Sequence, residues 1–125
     1  MSQKLLVLLV VPLLLVGCTS TFTNLTPHQQ TRNANNLYPV EVAMTSRQQS
    51  LRWDSIHPRI IVGKDSYPMR PTSLMTNRWE GLVPVPAGVD SVHYHYKFDF
   101  DYNGFGGPKP DSARSTEYTL KILEQ

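Results

Sequence analysis

Two histidines and two aspartates at alternating positions are the first residues in this chain whose types and spacing could do chemistry. They lie in the run SVHYHYKFDFDY, Ser91 to Tyr102. On an extended strand, residues i and i+2 share one side and stand about 7 Å apart, so His93 and His95 could both reach one zinc ion. A catalytic zinc needs a third protein ligand and an ordered outer shell, and no further residue is offered by spacing. The neighbouring Asp99-Phe100-Asp101-Tyr102-Asn103-Gly104 matches the opening of a calcium loop, with oxygen ligands at alternate positions and glycine sixth. The match then stops, because Pro110 stands where the bidentate glutamate belongs and no flanking helices are evident. His93 and His95 therefore remain weak metal candidates, and nothing else in the chain calls for a cofactor.

A simpler reading accounts for all twelve residues together. Val92, Tyr94, Tyr96, Phe98, Phe100 and Tyr102 are on even positions, and Ser91, His93, His95, Lys97, Asp99 and Asp101 on odd ones. Successive side chains of a strand point to opposite faces, so the even set is a core face and the odd set a solvated one, with Asp99 or Asp101 able to face Lys121 on a neighbouring strand. The tyrosine hydroxyls on the core face then need partners or a route to water.

The candidates for binding are aromatic. Phe105 lies in NGFGGPKPDSARS, Asn103 to Ser115, which reads as a long connection with three glycines and two prolines, and such connections tend to be functional or disordered, so Phe105 is either a contact for a ligand or partner or part of a mobile tip. Trp53 and Trp79 each admit a core or a stacking role. No serine sits in a Gly-x-Ser-x-Gly elbow, so there is no motif for nucleophilic catalysis, and the chain is expected not to be an enzyme.

The chain starts MSQKLLVLLVVPLLLVGC, with Lys4, an apolar run from Leu5 to Val16, and a small-residue end. That run is too short for the roughly twenty apolar residues of a membrane span and fits the core of an export signal. Leu15-Val16-Gly17-Cys18 resembles the lipobox of bacterial lipoproteins, which implies cleavage of residues 1–17 and a diacylglycerol thioether on Cys18. Cys18 is the only cysteine, so it has no internal disulfide partner. Several acyl chains at one terminus give stable anchoring, since each buried methylene contributes about 0.8 kcal/mol. Thr19 and Ser20 follow Cys18 without the aspartate that, by the same resemblance, favours inner-membrane retention, so the outer membrane is the expected location, with the protein facing the periplasm or displayed outside.

Without residues 1–17 the chain has eleven basic residues against ten acidic, a net charge of +1, and no basic stripe. The electrostatic footprint of a nucleic-acid binder is missing. Thr19 to Asn36 is rich in Thr, Asn and Gln and poor in apolar groups, so residues 18–36 are expected to be a flexible tether.

From residue 37 to 125 a single domain of short strands is expected. Tyr38 to Met44, Arg59 to Val62, Trp79 to Val85, Ser91 to Tyr102 and Thr116 to Leu123 alternate or run apolar between Pro, Gly, Asn and Asp, with an amphipathic helix the competing reading of Thr116 to Leu123, and Tyr67 to Pro71 reads as an edge. About seven short strands with turn signals near every tenth residue predict an all-β, immunoglobulin-like antiparallel β-sandwich. No strand-crossover-helix pattern suggests parallel pairing.

Trp79-Glu80-Gly81, Val83-Pro84-Val85-Pro86-Ala87-Gly88 and Tyr94 to Asp99 with Asn103-Gly104 resemble the central half of immunoglobulin-like, early-set starch- and glycogen-binding modules. The resemblance covers about thirty residues and implies Trp79 and Lys97 as sugar contacts. The leading expectation is a lipid-anchored, non-enzymatic structural or protein-interaction module with an envelope protein partner. A surface glycan-binding module using Trp79 and Phe105 is the alternative, and a metal-dependent enzyme the third.

Overall fold

The alternating run becomes the backbone of the molecule. In the computed structural model, which describes residues 20–124, it forms the longest strand, β8 (Ser91–Gly104), and its even residues Tyr94, Tyr96, Phe98 and Phe100 are buried. The other strands are β1 (Ser20–Asn24), β2 (Gln29–Thr31), β3 (Leu37–Ser46), β4 (His57–Val62), β5 (Asp65–Pro68), β6 (Arg70–Pro71), β7 (Arg78–Pro84), β9 (Gly107–Arg114) and β10 (Tyr118–Leu123). Trp53–Ser55 is a 3-10 turn.

The strands form two sheets. One has the order β1-β3-β7-β6, and the other β2-β10-β8-β4-β5, with β9 also paired to β8. β8 is long enough to hold three partners. Its first half lies against β10 and its second against β9 on one edge, while β4 occupies the other. The all-β sandwich expected from the alternation is the fold that forms, with the core drawn from the inner faces of both sheets: Tyr38, Val40, Val42 and Met44 of β3, Trp79 and Val83 of β7, Ile60 of β4, and Leu120 and Ile122 of β10. Phe98 ties the layers together. Its ring centroid is 5.0 Å from those of both Phe22 and Trp79, at interplanar angles of 63° and 88°. Edge-to-face pairs of this kind contribute about 0.5–1.5 kcal/mol each beyond their buried area.

Three strands lie where none was expected. β1 and β2 fall in the segment read as a tether, and β9 in the segment read as a loop. The tether reading of residues 20–31 is corrected by pairing: β1 adds to β3 with Ser20 opposite Ser46, and β2 adds to β10 with Lys121 opposite Gln29. Low hydrophobicity was a poor guide because these residues supply polar partners to a ready-made core. Tyr96 is fully buried, and its hydroxyl donates to Asn24 Oδ1 at 2.7 Å and lies 3.2 Å from Thr26 Oγ1. Asn24 Nδ2 donates to the Tyr94 hydroxyl at 2.9 Å, and Thr26 Oγ1 accepts from the Glu41 amide at 2.9 Å. A buried hydroxyl without a partner costs about 1–3 kcal/mol, so this segment stabilises the fold by hydrogen bonding more than by its own burial. Burial pushes the Tyr96 hydroxyl far up from its ordinary pKa, which keeps it a neutral donor.

The β2–β10 pairing is parallel, a departure from the purely antiparallel expectation. Both strands run toward the same end of the sandwich, where the Arg32 amide donates to the Leu123 carbonyl at 2.9 Å. The Asn103–Ser115 segment is likewise a hairpin and not a long loop: Gly104 faces Gly107, leaving Phe105 and Gly106 as the tip. Gly106 at φ 91° and Gly107 at φ 129° take left-handed conformations that side chains rarely adopt, which makes so tight a reversal possible.

Candidate functional site

The odd residues of β8 lie on the outer face of the six-stranded sheet, and the register places each beside a specific neighbour. His93 Nδ1 is 2.9 Å from Thr119 Oγ1 on β10. His95 Nε2 lies 2.9 Å from the Arg114 guanidinium, so the arginine donates and the imidazole accepts. Desolvation, and then the Arg114 charge, lower the His95 pKa from its ordinary value and favour the neutral ring. The two candidate metal ligands are thus engaged with different partners. Among the described residues no group of three or more His, Cys, Asp or Glu is arranged to hold a metal ion. Asp99 pairs with Arg59 of β4 at 2.8 Å, whereas Lys121 stands opposite Ser91, so the expected Asp99 or Asp101 pairing with Lys121 is corrected by the register. Asp99 to Gly104 is strand, not an ion-binding loop.

The candidate contact residues separate. Trp79 is a core residue, 4% exposed and packed edge-on against Phe98, so its reading as a sugar platform is corrected. Lys97 lies on the outer face between Arg59 and Arg114 in register and lines a polar depression of about 510 Å³ with His95, Ile61, Gly63, Ser112 and Ala113. Phe105 is fully exposed at its hairpin tip. These three residues do not share a site. Cys18 lies outside the described residues.

A second concavity, which the sequence reading did not single out, is built on the four-stranded sheet. After β5 the chain crosses from one sheet to the other, and Tyr67, Pro68 and Met69 line a groove of about 500 Å³ together with Pro39, Leu82 and Gly81. Gly81 makes the crossing possible: a Cβ there would stand 2.8 Å from Ile60 Cδ1 and 3.1 Å from the Pro68 carbonyl oxygen. Arg70 and Glu80 flank the groove, their nearest charged atoms 3.9 Å apart. Leu82 has the opposite parity to the core residues Val83 and Val85, which puts it on the outer face, half exposed. That parity was the available signal. The closure of Tyr67 and Met69 over β7 had none, because it depends on a crossing between sheets.

No protein-family model matches the chain, and no curated protein matches it. A solved structure of a DUF4785 family protein from Legionella pneumophila is similar in outline over 82% of this chain, at 8% identity and a TM-score of 0.45. The chain spans 28% of that protein's length, and a likeness this loose carries nothing about function. No helix among the described residues is long and apolar enough to cross a membrane.

Proposed function

We propose that this protein is a lipid-anchored envelope module, held at the outer membrane through Cys18, that works by binding another envelope protein and not by catalysis. The observation that carries the binding half is the groove of Pro39, Tyr67, Met69 and Leu82, an apolar concavity with the Arg70–Glu80 pair at its edge. Apolar anchors beside a few charged groups are the composition of protein contact surfaces. The anchoring half is supported by Leu15-Val16-Gly17-Cys18 at the end of an apolar run. A glycan-binding alternative would have to stand on Phe105 without Trp79.

The test is photocrosslinking in intact cells from a reactive residue replacing Leu82, with one replacing Lys121 as the control, and intact mass of the purified chain. One dominant envelope protein captured from position 82 alone, on a chain cleaved before Cys18 and acylated there, is the expected result. An unmodified chain retaining Met1 would overturn the anchor, and equal capture from both positions would overturn the groove.

A further inference from the structure

The two most exposed large apolar side chains among the described residues are at the same end. Leu74 and Phe105 are both fully exposed. Leu74 belongs to the connection from β6 to β7, which is pinned where the Asn77 carbonyl accepts from the Met44 amide at 3.0 Å, next to the last residues of β3. Phe105 is at the β8–β9 tip, where the Asn103 amide donates to the Ser50 carbonyl at 2.8 Å, four residues beyond the end of β3. Trp53, also exposed, adjoins Arg52, whose amide donates to the Asp101 carbonyl at 3.0 Å. All three connections therefore meet at one end, and Ser20, opposite Ser46, opens β1 at that same end.

Ser20 is two residues from Cys18. An extended chain covers at most about 3.3–3.6 Å per residue, so the backbone of Cys18 can be no more than about 7 Å from the start of the strand, and an attached lipid begins just beyond it. The tether that would have let the domain float clear of the headgroups is instead strand β1. An anchored sandwich must then stand on the bilayer by the end that carries Leu74, Phe105 and Trp53. Nothing in the fold accounts for Leu74: it contacts no core and holds φ at 65°, a left-handed conformation that costs a leucine about 1–2 kcal/mol. Backbone strain combined with a fully exposed apolar side chain is a poor arrangement for a domain in water and a reasonable one for a loop tip that enters lipid. Arg47 and Lys109 are exposed at this end, and neither forms an ion pair with another described residue, so both are placed for lipid phosphates.

We infer that this end is a membrane-docking surface: with Cys18 acylated, Leu74, Phe105 and Trp53 enter the interfacial layer of a phospholipid bilayer and hold the sandwich upright on it. This rests on the anchoring reading above and adds an orientation to it. The apolar groove near Leu82, on the outer sheet face, then stays clear of the membrane for a protein partner.

The experiment uses the acylated full chain in vesicles of phosphatidylethanolamine and phosphatidylglycerol. Phe105→Cys and Leu74→Cys variants each carry one nitroxide label, with Lys64→Cys, in the β4–β5 turn toward the other end, as the control. Acylation of Cys18 leaves the introduced thiol as the only free one. The expected result is that labels at 105 and 74 collide with lipid-dissolved oxygen and lose contact with a water-soluble nickel chelate, while the label at 64 does the opposite. Chelate contact at 105 equal to that at 64, on a chain whose mass shows acylation, overturns docking and leaves the anchor standing. Shielding from both quenchers overturns it too, since a protein or a second copy then covers the tip. If the mass shows Cys18 unmodified, the anchor fails, and Trp53 emission decides: a blue shift on adding vesicles keeps the docking surface, and no shift overturns it.

Discussion

At one end of the sandwich a single side chain gathers four segments; at the other, three loops present apolar side chains to their surroundings. Arg32 donates to the carbonyl oxygens of Val85 at 2.7 Å and Val89 at 2.6 Å, to Asn36 Oδ1 at 3.1 Å, and to the Glu124 carboxylate at 2.9 Å. It joins the end of β2, the entry to β3, the β7–β8 turn and the last described residue. The Ser20 end has no comparable clasp among the described residues, and its tips are Trp53, Leu74 and Phe105. One end is closed by satisfying its own backbone carbonyls. The other is finished as a fold but retains apolar surface, which is the mark of an end with something to meet.

The largest expected effect removes the frame both ends share. Phe98→Ala deletes the ring that bridges β1, β7 and β8, and should lower stability by about 3–5 kcal/mol in urea denaturation. A loss under about 1 kcal/mol would mean the two layers are not joined through this residue.

Next is the segment that was read as a tether. Thr26→Val leaves the Glu41 amide without its acceptor, while the Tyr96 hydroxyl keeps Asn24 Oδ1, and should cost about 1–3 kcal/mol. A tether would show no change, so this substitution separates an integral β1–β2 segment from a leash.

The clasp should respond to acid. The hydrogen bond from Arg32 holds the Glu124 carboxyl below the usual carboxylate range. A depressed folded-state value adds stability above the unfolded carboxylate pKa, and that stability is lost as pH falls through the folded one. Arg32→Ala should reduce this acid dependence in the melting temperature and speed amide exchange at Val85, whose amide donates to the Asn36 carbonyl at 2.9 Å. An unchanged acid limb would detach Glu124 from the closure of this end.

The smallest effects belong to the open end. Leu74→Gly should stabilise the protein in water by up to about 1 kcal/mol by releasing the left-handed strain, and Phe105→Ser should change stability by no more than about 0.5 kcal/mol. Both are read by chemical denaturation. A loss of several kcal/mol from either would show that these tips serve folding, and the contrast between the ends would disappear.

How much of this was legible follows from where the deciding interactions lie. The strict parity of Ser91 to Tyr102 named the buried face of β8, and the same rule assigned Tyr38 to Met44 and Tyr118 to Ile122. Parity also places Leu82 on the outer face although its type is apolar. The β1–β2 segment was misread for the opposite reason: composition measures what a segment buries, whereas Asn24 and Thr26 contribute by serving hydroxyls seventy residues away. The β8–β9 hairpin was hidden because its glycines and prolines suggested a loop, and only pairing shows that Phe105-Gly106 alone makes the turn.

The order of residues along the chain was enough to determine that this is a β protein and which side chains of its long strand are buried. Those properties follow from periodicity and local chemistry, which a chain carries without being folded. Tertiary structure alone decided that Trp79 is core, that His93 and His95 serve different partners, that the polar segment before Leu37 is part of both sheets, and that Ser20, Leu74 and Phe105 meet at one end. Each of these is a relation between strands far apart in sequence, set by register and layer packing, and no local pattern encodes which distant neighbour a side chain will find.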